Sequence, residues 1–377
     1  MTQPLLVVGG GIGGLATALA LHDRGIEARV VEQSPQIREL GVGINTLPHA
    51  IAQLARLGLL DALDAVAVRT YELIYANRFG QPVWRELRGT DAGHEVPQFS
   101  IHRGVLQGVL RDAVLQRLGS DAIVTARRLI GFQQDDAGVT AAFAAGAAGE
   151  QTMIVSAPAL IGADGIHSIV RAALYPDEPP PRWNGTMLWR GAVDWPAFLT
   201  GRSMVIAGGM EAKLVLYPIG AGSAPDRRLT NWAVMVRTGS ADEPPPRRED
   251  WSRPGRLHEL MPHLSRFSIS ELDAEALIRA TPVFWEYPVC DRDPLPHWSR
   301  GRVTLLGDAA HPMYPVGSNG ASQAILDAVA LAGALTGVAG DAIAAALSRY
   351  DDERRTPTAE IVRSNRRGGP EGVIDAV

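Results

Sequence analysis

The chain has 377 residues, 46% of them hydrophobic and 20% charged, with a formal net charge of −5. Such a length supports two or three domain-sized units and a sizeable core, while basic residues in scattered pairs such as Arg127-Arg128 and Arg354-Arg355, not in a stripe, argue against a nucleic-acid partner. Cys290 is the only cysteine, which excludes intramolecular disulfides, thiol redox pairs and cysteine-based zinc sites, and no apolar run reaches membrane-spanning length.

The N-terminus passes directly into an apolar strand without a basic leader, so a cytoplasmic protein with no membrane partner is expected. Residues 4 to 33 read as β-α-β. "PLLVV" is a buried strand, "GGGIGGLATALALHDRG" a turn and a helix closed by Gly25, and "EARVVEQ" a second buried strand. Helical spacing returns at 48–60 and 104–118. "AIVTARRLIGFQQ" and "GVTAAFAAG" alternate like a small antiparallel meander, and "AAGAAGE" (144–150) reads as a hairpin tip. "APALIGADG" is a further buried strand, and the Pro-rich "PDEPPPRWNG" marks a boundary. Beyond it "TMLWRGAV", "SMVIAGG", "AKLVLYPIG" and "NWAVMVRT" predict a separate antiparallel sheet. "ADEPPPRREDWSRPG" predicts an exposed loop, and two helical pieces follow near 255–280. "RVTLLGD" returns to buried-strand character before the C-terminal helices.

The order is nucleotide half, inserted β unit, nucleotide half again. The predicted fold is therefore α/β: a Rossmann-like domain of residues 1–70, 101–178 and 281–377, an inserted antiparallel β-sheet domain of 71–100 and 179–280, and C-terminal helices.

Three strand-end turns carry the chemistry. Gly9-x-Gly11-x-x-Gly14 lies between strand and helix, where glycines permit a tight turn and close approach of a pyrophosphate to the helix N-terminus. Glu32 ends the next strand, where a carboxylate can accept from ribose hydroxyls. The motif alone does not choose between FAD and NAD. "LIGADGIHSIVR" and "VTLLGDAAHPMYPVGSNGASQAILDA" repeat one form, a buried strand followed by an acid (Asp164, Asp308) in a turn before a helix. An Asp-Gly turn can simply cap a helix. Three such turns also fit one long ligand lying along the carboxyl edge of a sheet.

Together these segments resemble the single-component FAD-dependent aromatic hydroxylases, the salicylate and para-hydroxybenzoate hydroxylase group, over residues 5 to about 365. "LGVGIN", "FSIHRGVLQ", "MLWRG" and "DRDPLPHWSRGRVTLLGDAAH" resemble in particular its phenazine-carboxylate monooxygenase branch. The resemblance implies FAD as cofactor, with Gly9, Gly11 and Gly14 at its pyrophosphate, Glu32 at the adenosine ribose and Gly43 also at the cofactor. It implies Arg103 at the ribityl and phosphate region, Asp164 at FAD and a passing NADH or NADPH, and Asp308 at the ribityl chain. Pro315 would lie beside the isoalloxazine, and Gly317, Asn319, Gly320 and Ala321 would open a helix aimed at the flavin N1/C2 carbonyl. A helix N-terminus there favours the anionic reduced ring. Where the family usually reads Gly-x-Gly-x-Asn after the proline, this chain reads Gly317-Ser318-Asn319-Gly320.

The implied reaction is hydroxylation of an aromatic or N-heteroaromatic ring, favouring a carboxylate that hydroxylation could remove, by O₂ added at flavin C4a. A monomer or homodimer is expected. Arg190 and Tyr217 are substrate-pocket candidates, a guanidinium for a carboxylate and a phenol for proton exchange, or else sheet residues with no ligand. His311 is either a polar group near flavin and substrate or a support for the turn after Asp308, Pro315 is a further pocket candidate, and Trp232 belongs to the core. No His/Asp/Glu cluster has metal spacing. A flavin reductase or dehydrogenase without oxygen insertion, or a non-catalytic FAD protein that sequesters an aromatic compound, would share these features.

Overall fold

The structure is a computed structural model and describes residues 3–37, 42–145, 151–248, 250, 252–269 and 273–376. The hairpin tip expected at 144–150 lies, from residue 146 on, outside the described residues.

A six-stranded sheet runs in the order Ser299–Arg300, Val303–Leu305, Leu160–Gly162, Leu5–Val8, Ala28–Val31, Ile123–Val124. Every neighbouring pair is parallel except the short hairpin at the 299 edge. Leu5–Val8 is buried throughout, as an apolar strand covered on both faces must be. Helix Ile12–Asp23 packs between helices Arg103–Leu118 and Gly320–Leu335. The meander forms as expected from Arg127–Gln134, Val139–Ala145 and Gln151–Ala157.

The second large sheet has seven strands in the order Phe284–Asp291, Arg182–Pro196, Arg227–Arg237, Ala212–Ala221, Ser203–Gly208, Glu72–Ala76, Pro82–Leu87. All four expected strands are present, with two differences. Glu72–Ala76 pairs parallel to Ser203–Gly208, so the sheet is mixed. Strands joined by tight hairpins must run antiparallel, but Glu72–Ala76 arrives from the other half of the chain and has no such constraint. The boundary expected at 281 is also crossed: Phe284–Asp291 pairs with Arg182–Pro196 and closes this sheet. Its apolar run resembles the neighbouring nucleotide-half strand, and only the ladder distinguishes the two.

Helices Leu257–Leu264 and Ala274–Arg279 cover one face of this sheet over Trp183, Leu214, Leu216 and Trp232. Trp232 is fully buried, and its indole N–H donates to Thr281 Oγ1 at 2.8 Å. The opposite face carries Leu188, Met204, Ile206, Tyr217 and Met235, and meets Tyr314 and Val316 of the Gly307–Gly320 loop and Ile374 of the C-terminal 3-10 segment Gly369–Ala376.

Candidate active site

Three adjacent strands end at one edge: Val303–Leu305, Leu160–Gly162 and Leu5–Val8. The three turns singled out in the sequence therefore stand side by side. Leu306 N donates to Gly162 O at 2.9 Å and Ala163 N to Val8 O at 2.8 Å. The contact is too close for side chains. Gly9 has φ +113°, and a Cβ there would stand 2.3 Å from Ala163 O, while one on Gly14 would stand 1.9 Å from Gly9 O. A Cβ on Gly11 would meet nothing within 4 Å, so the backbone is bare on that side. Helix Ile12–Asp23 begins without a side-chain cap, leaving its first amides toward that open space. Glu32 is held at the same edge, accepting from Gly10 N and Ser34 N, each at 2.7 Å.

The two Asp turns behave differently. Asp164 accepts from Ser168 Oγ at 2.5 Å and from the amides of Ile169 at 2.7 Å and Val170 at 3.3 Å, at the start of helix Ile169–Leu174. Burial pushes its carboxyl above the usual range against the lowering effect of those bonds. Asp308 is exposed and has no protein partner among the described residues; the same holds for the Arg103 guanidinium at the start of its helix. A free carboxylate, a free guanidinium, a bare glycine edge and uncapped helix starts form a donor and acceptor set that fits an extended dinucleotide. Helix Gly320–Leu335 supplies the second uncapped start: Asn319 at its N-cap makes no side-chain bond, and a Cβ on Gly320 would meet nothing within 4 Å. Gly317 and Ser318 lead into it with φ +66° and +57°. Pro315 is exposed beside them, and Ala321 opens the first turn.

His311 takes the supporting place of its two expected ones. It is 3% exposed, packs on Trp298 with ring centroids 5.2 Å apart, and bonds through Nε2 to Asp327 Oδ2 at 2.5 Å. Asp327 is fully buried and also accepts from Arg354 Nε at 2.8 Å and Gly307 N at 3.1 Å. His311 therefore braces the turn from below through Nε2, while its Nδ1 is buried without a partner among the described residues. Asp327 and Arg354 were not singled out in the sequence, where a lone Asp within a helix carries no signal.

On the seven-stranded sheet, Arg190 and Tyr217 converge. Tyr217 OH donates to Gly43 O at 2.8 Å, and an Arg190 N–H donates to the same oxygen. Arg190 also donates to Tyr287 OH at 3.1 Å, and its Nε is buried without a partner. Burial pushes the Tyr217 phenol up to about 12, although the Arg190 charge beside it pulls it down. At neutral pH this phenol is a donor. Gly43, expected at the cofactor, has its amide and carbonyl engaged by the sheet. Its amide donates to Asn231 Oδ1 at 2.8 Å, and a Cβ would stand 2.6 Å from Ile219 Cγ2 and 2.7 Å from Tyr217 Cε2. Close packing between the two units requires a glycine here.

These features agree with what the chain is similar to. The profile described as FAD binding domain matches residues 2–365. The chain belongs to the FAD-binding-domain family. It is 46% identical to the phenazine 1,6-dicarboxylic acid hydroxylase of Lysobacter antibioticus, over 96% of this chain and 89% of that protein. It is 32% identical to the 3-hydroxybenzoate 6-hydroxylase of Polaromonas naphthalenivorans, over 97% of this chain and 87% of the other. Among solved structures, Klebsiella pneumoniae HpxO with FAD and uric acid superposes with a TM-score of 0.80 at 25% identity, covering 99% of this chain and 91% of that one. A salicylate hydroxylase substrate complex superposes at 0.78 and 25% identity, covering 98% and 88%. The protein is an FAD-dependent aromatic-ring monooxygenase. Among the described residues no helix is long and apolar enough to cross a membrane.

Proposed function

We propose that this member of the family hydroxylates an aromatic or N-heteroaromatic carboxylic acid, with NADH or NADPH as reductant, and that the ring is held on the sheet face that carries Arg190 and Tyr217. The observation that supports it is the convergence of those two side chains on Gly43 O, where strand Gly43–Thr46 meets the seven-stranded sheet. When bound, FAD supplies the oxygen-activating redox chemistry. In this reading Gly9, Gly11 and Gly14 admit the pyrophosphate, Glu32 meets the adenosine ribose, and Arg103 and Asp308 meet the phosphate and ribityl region. Asp164 acts mainly by fixing its own turn. The start of helix Gly320–Leu335, with Gly317, Asn319, Gly320 and Ala321, offers partial positive charge to the flavin ring beside Pro315.

The chain's own part is to bind, orient and exclude water. The Arg190 guanidinium has an unpaired buried Nε to give to a substrate oxygen. Tyr217, with its phenol protonated and its one hydrogen given to Gly43 O, can accept from a hydroxyl or ring N–H of the substrate and does not remove a proton. The dicarboxylic acid named for the Lysobacter relative is of the class this site suits.

The test is a panel of aromatic acids on the FAD-loaded protein, reading stimulated NAD(P)H oxidation, H₂O₂ and ¹⁸O from ¹⁸O₂ in the product. Acid-stimulated oxidation with label in the product is expected. Label-free product would point to a dehydrogenase, and ligand binding without stimulated oxidation to a sequestering protein.

A further inference from the structure

Thirty-six residues are Lys or Arg, and Lys213 is the only lysine among them. In a chain that makes every other cation an arginine, the ammonium is placed inside. The Lys213 side chain is 6% exposed and pairs with Glu371, itself 5% exposed. Along strand Ala212–Ala221, Leu214 and Leu216 face the covering helices, so Lys213, Val215 and Tyr217 share the opposite face. The ladder sets Lys213 beside Met235, Met235 beside Leu188, and Leu188 beside Tyr287, the partner of Arg190. Lys213 and the Arg190–Tyr217 pair thus stand on one surface. Four residues of strand separate Lys213 from Tyr217, about 13 Å.

Glu371 reaches this surface on the segment Gly369–Ala376, which is wedged against the flavin-side loop. A Cβ on Gly369 would stand 2.9 Å from Val316 Cγ1, Pro370 lies 3.4 Å from the Cβ position of Gly317, and Asn365 Nδ2 donates to Tyr314 O at 3.1 Å. A cavity of about 240 Å³ opens here, with Lys213, Met210, Met235, Tyr314 and Val316 in its wall. The arginines around it are tied to neighbouring carboxylates: Arg182 to Asp293, Arg237 to Glu211, and Arg366 to Asp291 and Asp293. Among the described residues, the partner of Lys213 comes from the segment Gly369–Ala376.

We propose that Lys213 anchors a carboxylate at the end of a fused-ring aromatic substrate remote from Arg190, and that Glu371 holds the ammonium until that carboxylate replaces it. The proposal rests on the aromatic-acid reading above. An ammonium this buried needs an anion at all times, because removing one partner of a buried pair is strongly destabilising. Exchanging one carboxylate for another keeps the ammonium paired, and the displaced Glu371 carboxylate then takes up a proton or turns out to water with its segment, so that no buried charge is left alone. Lysine suits the exchange better than arginine: its point charge and three rotatable donors can turn from one acceptor to the next, where a guanidinium fork is matched to one geometry.

The experiment uses the FAD-loaded full chain and three probes: phenazine 1,6-dicarboxylate, phenazine 1-carboxylate and unsubstituted phenazine. With one lysine, ¹³C-lysine labelling gives a single side-chain Cε resonance. The dicarboxylate should shift it and unsubstituted phenazine should not. K213M should raise Kd for the dicarboxylate roughly tenfold or more, the scale of a lost charge-assisted bond, and leave the Kd of phenazine within about twofold. E371Q should tighten the dicarboxylate. Because K213M leaves Glu371 buried without its cation, K213M/E371Q serves as the charge-neutral form and should show the same selective loss. An unmoved lysine resonance, equal losses for acid and hydrocarbon ring, or weaker acid binding in E371Q overturns the proposal. Wild-type protein that binds no aromatic acid overturns both this proposal and the reading beneath it; acid binding that ignores Lys213 overturns this one alone.

Discussion

Asp327→Asn should weaken the fold through the turn that presents Asp308. The Asp327 carboxylate is fully buried and accepts from His311, Arg354 and Gly307. Asparagine keeps one acceptor oxygen and turns an NH₂ toward groups that are themselves donors. The Arg354 side chain, 12% exposed, keeps Gln323 Oε1 at 2.7 Å but loses its carboxylate. Breaking a buried pair from one side costs about 3–5 kcal/mol. Unfolding entropy of about 2.1 cal/mol/K per residue turns that into a midpoint shift of roughly 4–6 °C for a chain of this length. Thermal and denaturant unfolding of the two proteins measures it. Asp327→Asn with Arg354→Gln removes both charges and should recover a large part of the loss, since a neutralised pair leaves no orphaned charge. The pH dependence has a definite sign. Burial pushes the Asp327 carboxyl up, but the His311 and Arg354 contacts outweigh it and hold it below the usual range. A folded-state pKa below the unfolded one makes the contribution full above about pH 4 and lost as pH falls through the folded value. The gap between wild type and Asp327→Asn should therefore persist down to about pH 4 and shrink below it. A variant within about 0.5 kcal/mol of wild type at pH 7 would refute the reasoning, since a surface-like change is that small.

Glu32→Ala should raise the Kd of FAD roughly ten- to hundredfold, the scale of a bond to a charged group; unchanged affinity removes Glu32 from the ribose. Asp308→Ala should weaken FAD independently, so that its effect and that of Glu32→Ala add to within about 0.5 kcal/mol, and it alone should alter the flavin spectrum or reduction rate. Wild-type values for all three would leave the second Gly-Asp turn without a ligand. For Tyr217, an ultraviolet titration should lose one ionisation near pH 12 in Tyr217→Phe. Its folded pKa stands above the unfolded value near 10, so its share of stability is full below about pH 10 and lost as pH rises toward 12.

Much of the layout was legible because it rests on local pattern. Short apolar runs ending in Gly or Gly-Asp turns marked Leu5–Val8, Leu160–Gly162 and Val303–Leu305, and their buried character implied a parallel sheet. The pairing that brings them side by side is a long-range property, inferred only through the idea of one shared ligand. Phe284–Asp291 shows the limit. Its composition resembles the nucleotide-half strand that follows, and its place in the other sheet depends on the ladder to Arg182–Pro196. Gly43 shows the same limit at a single residue: a glycine needed for close approach looks alike whether a cofactor or a sheet makes the approach. Lys213 was countable from the sequence, but its meaning needs the fold that buries it.

Asp164 and Asp308 share a motif and part company for a reason that can be read locally. Ser168 follows Asp164 by one turn, and helix Ile169–Leu174 begins at once, so hydroxyl and amide donors reach the carboxylate and consume it. After Asp308 the next helix waits until Gly320, and no donor of its own segment arrives. The loop between them would be hard to hold without a brace, and His311 with Asp327 supplies one from below, leaving the Asp308 carboxylate at the surface. The distance from a strand-end acid to the next helix start thus separates an acid that builds its turn from one left free for a ligand. Moving a helix start toward Asp308, or a serine four residues after it, would be expected to close the carboxylate on its own chain and cost FAD affinity as surely as its removal.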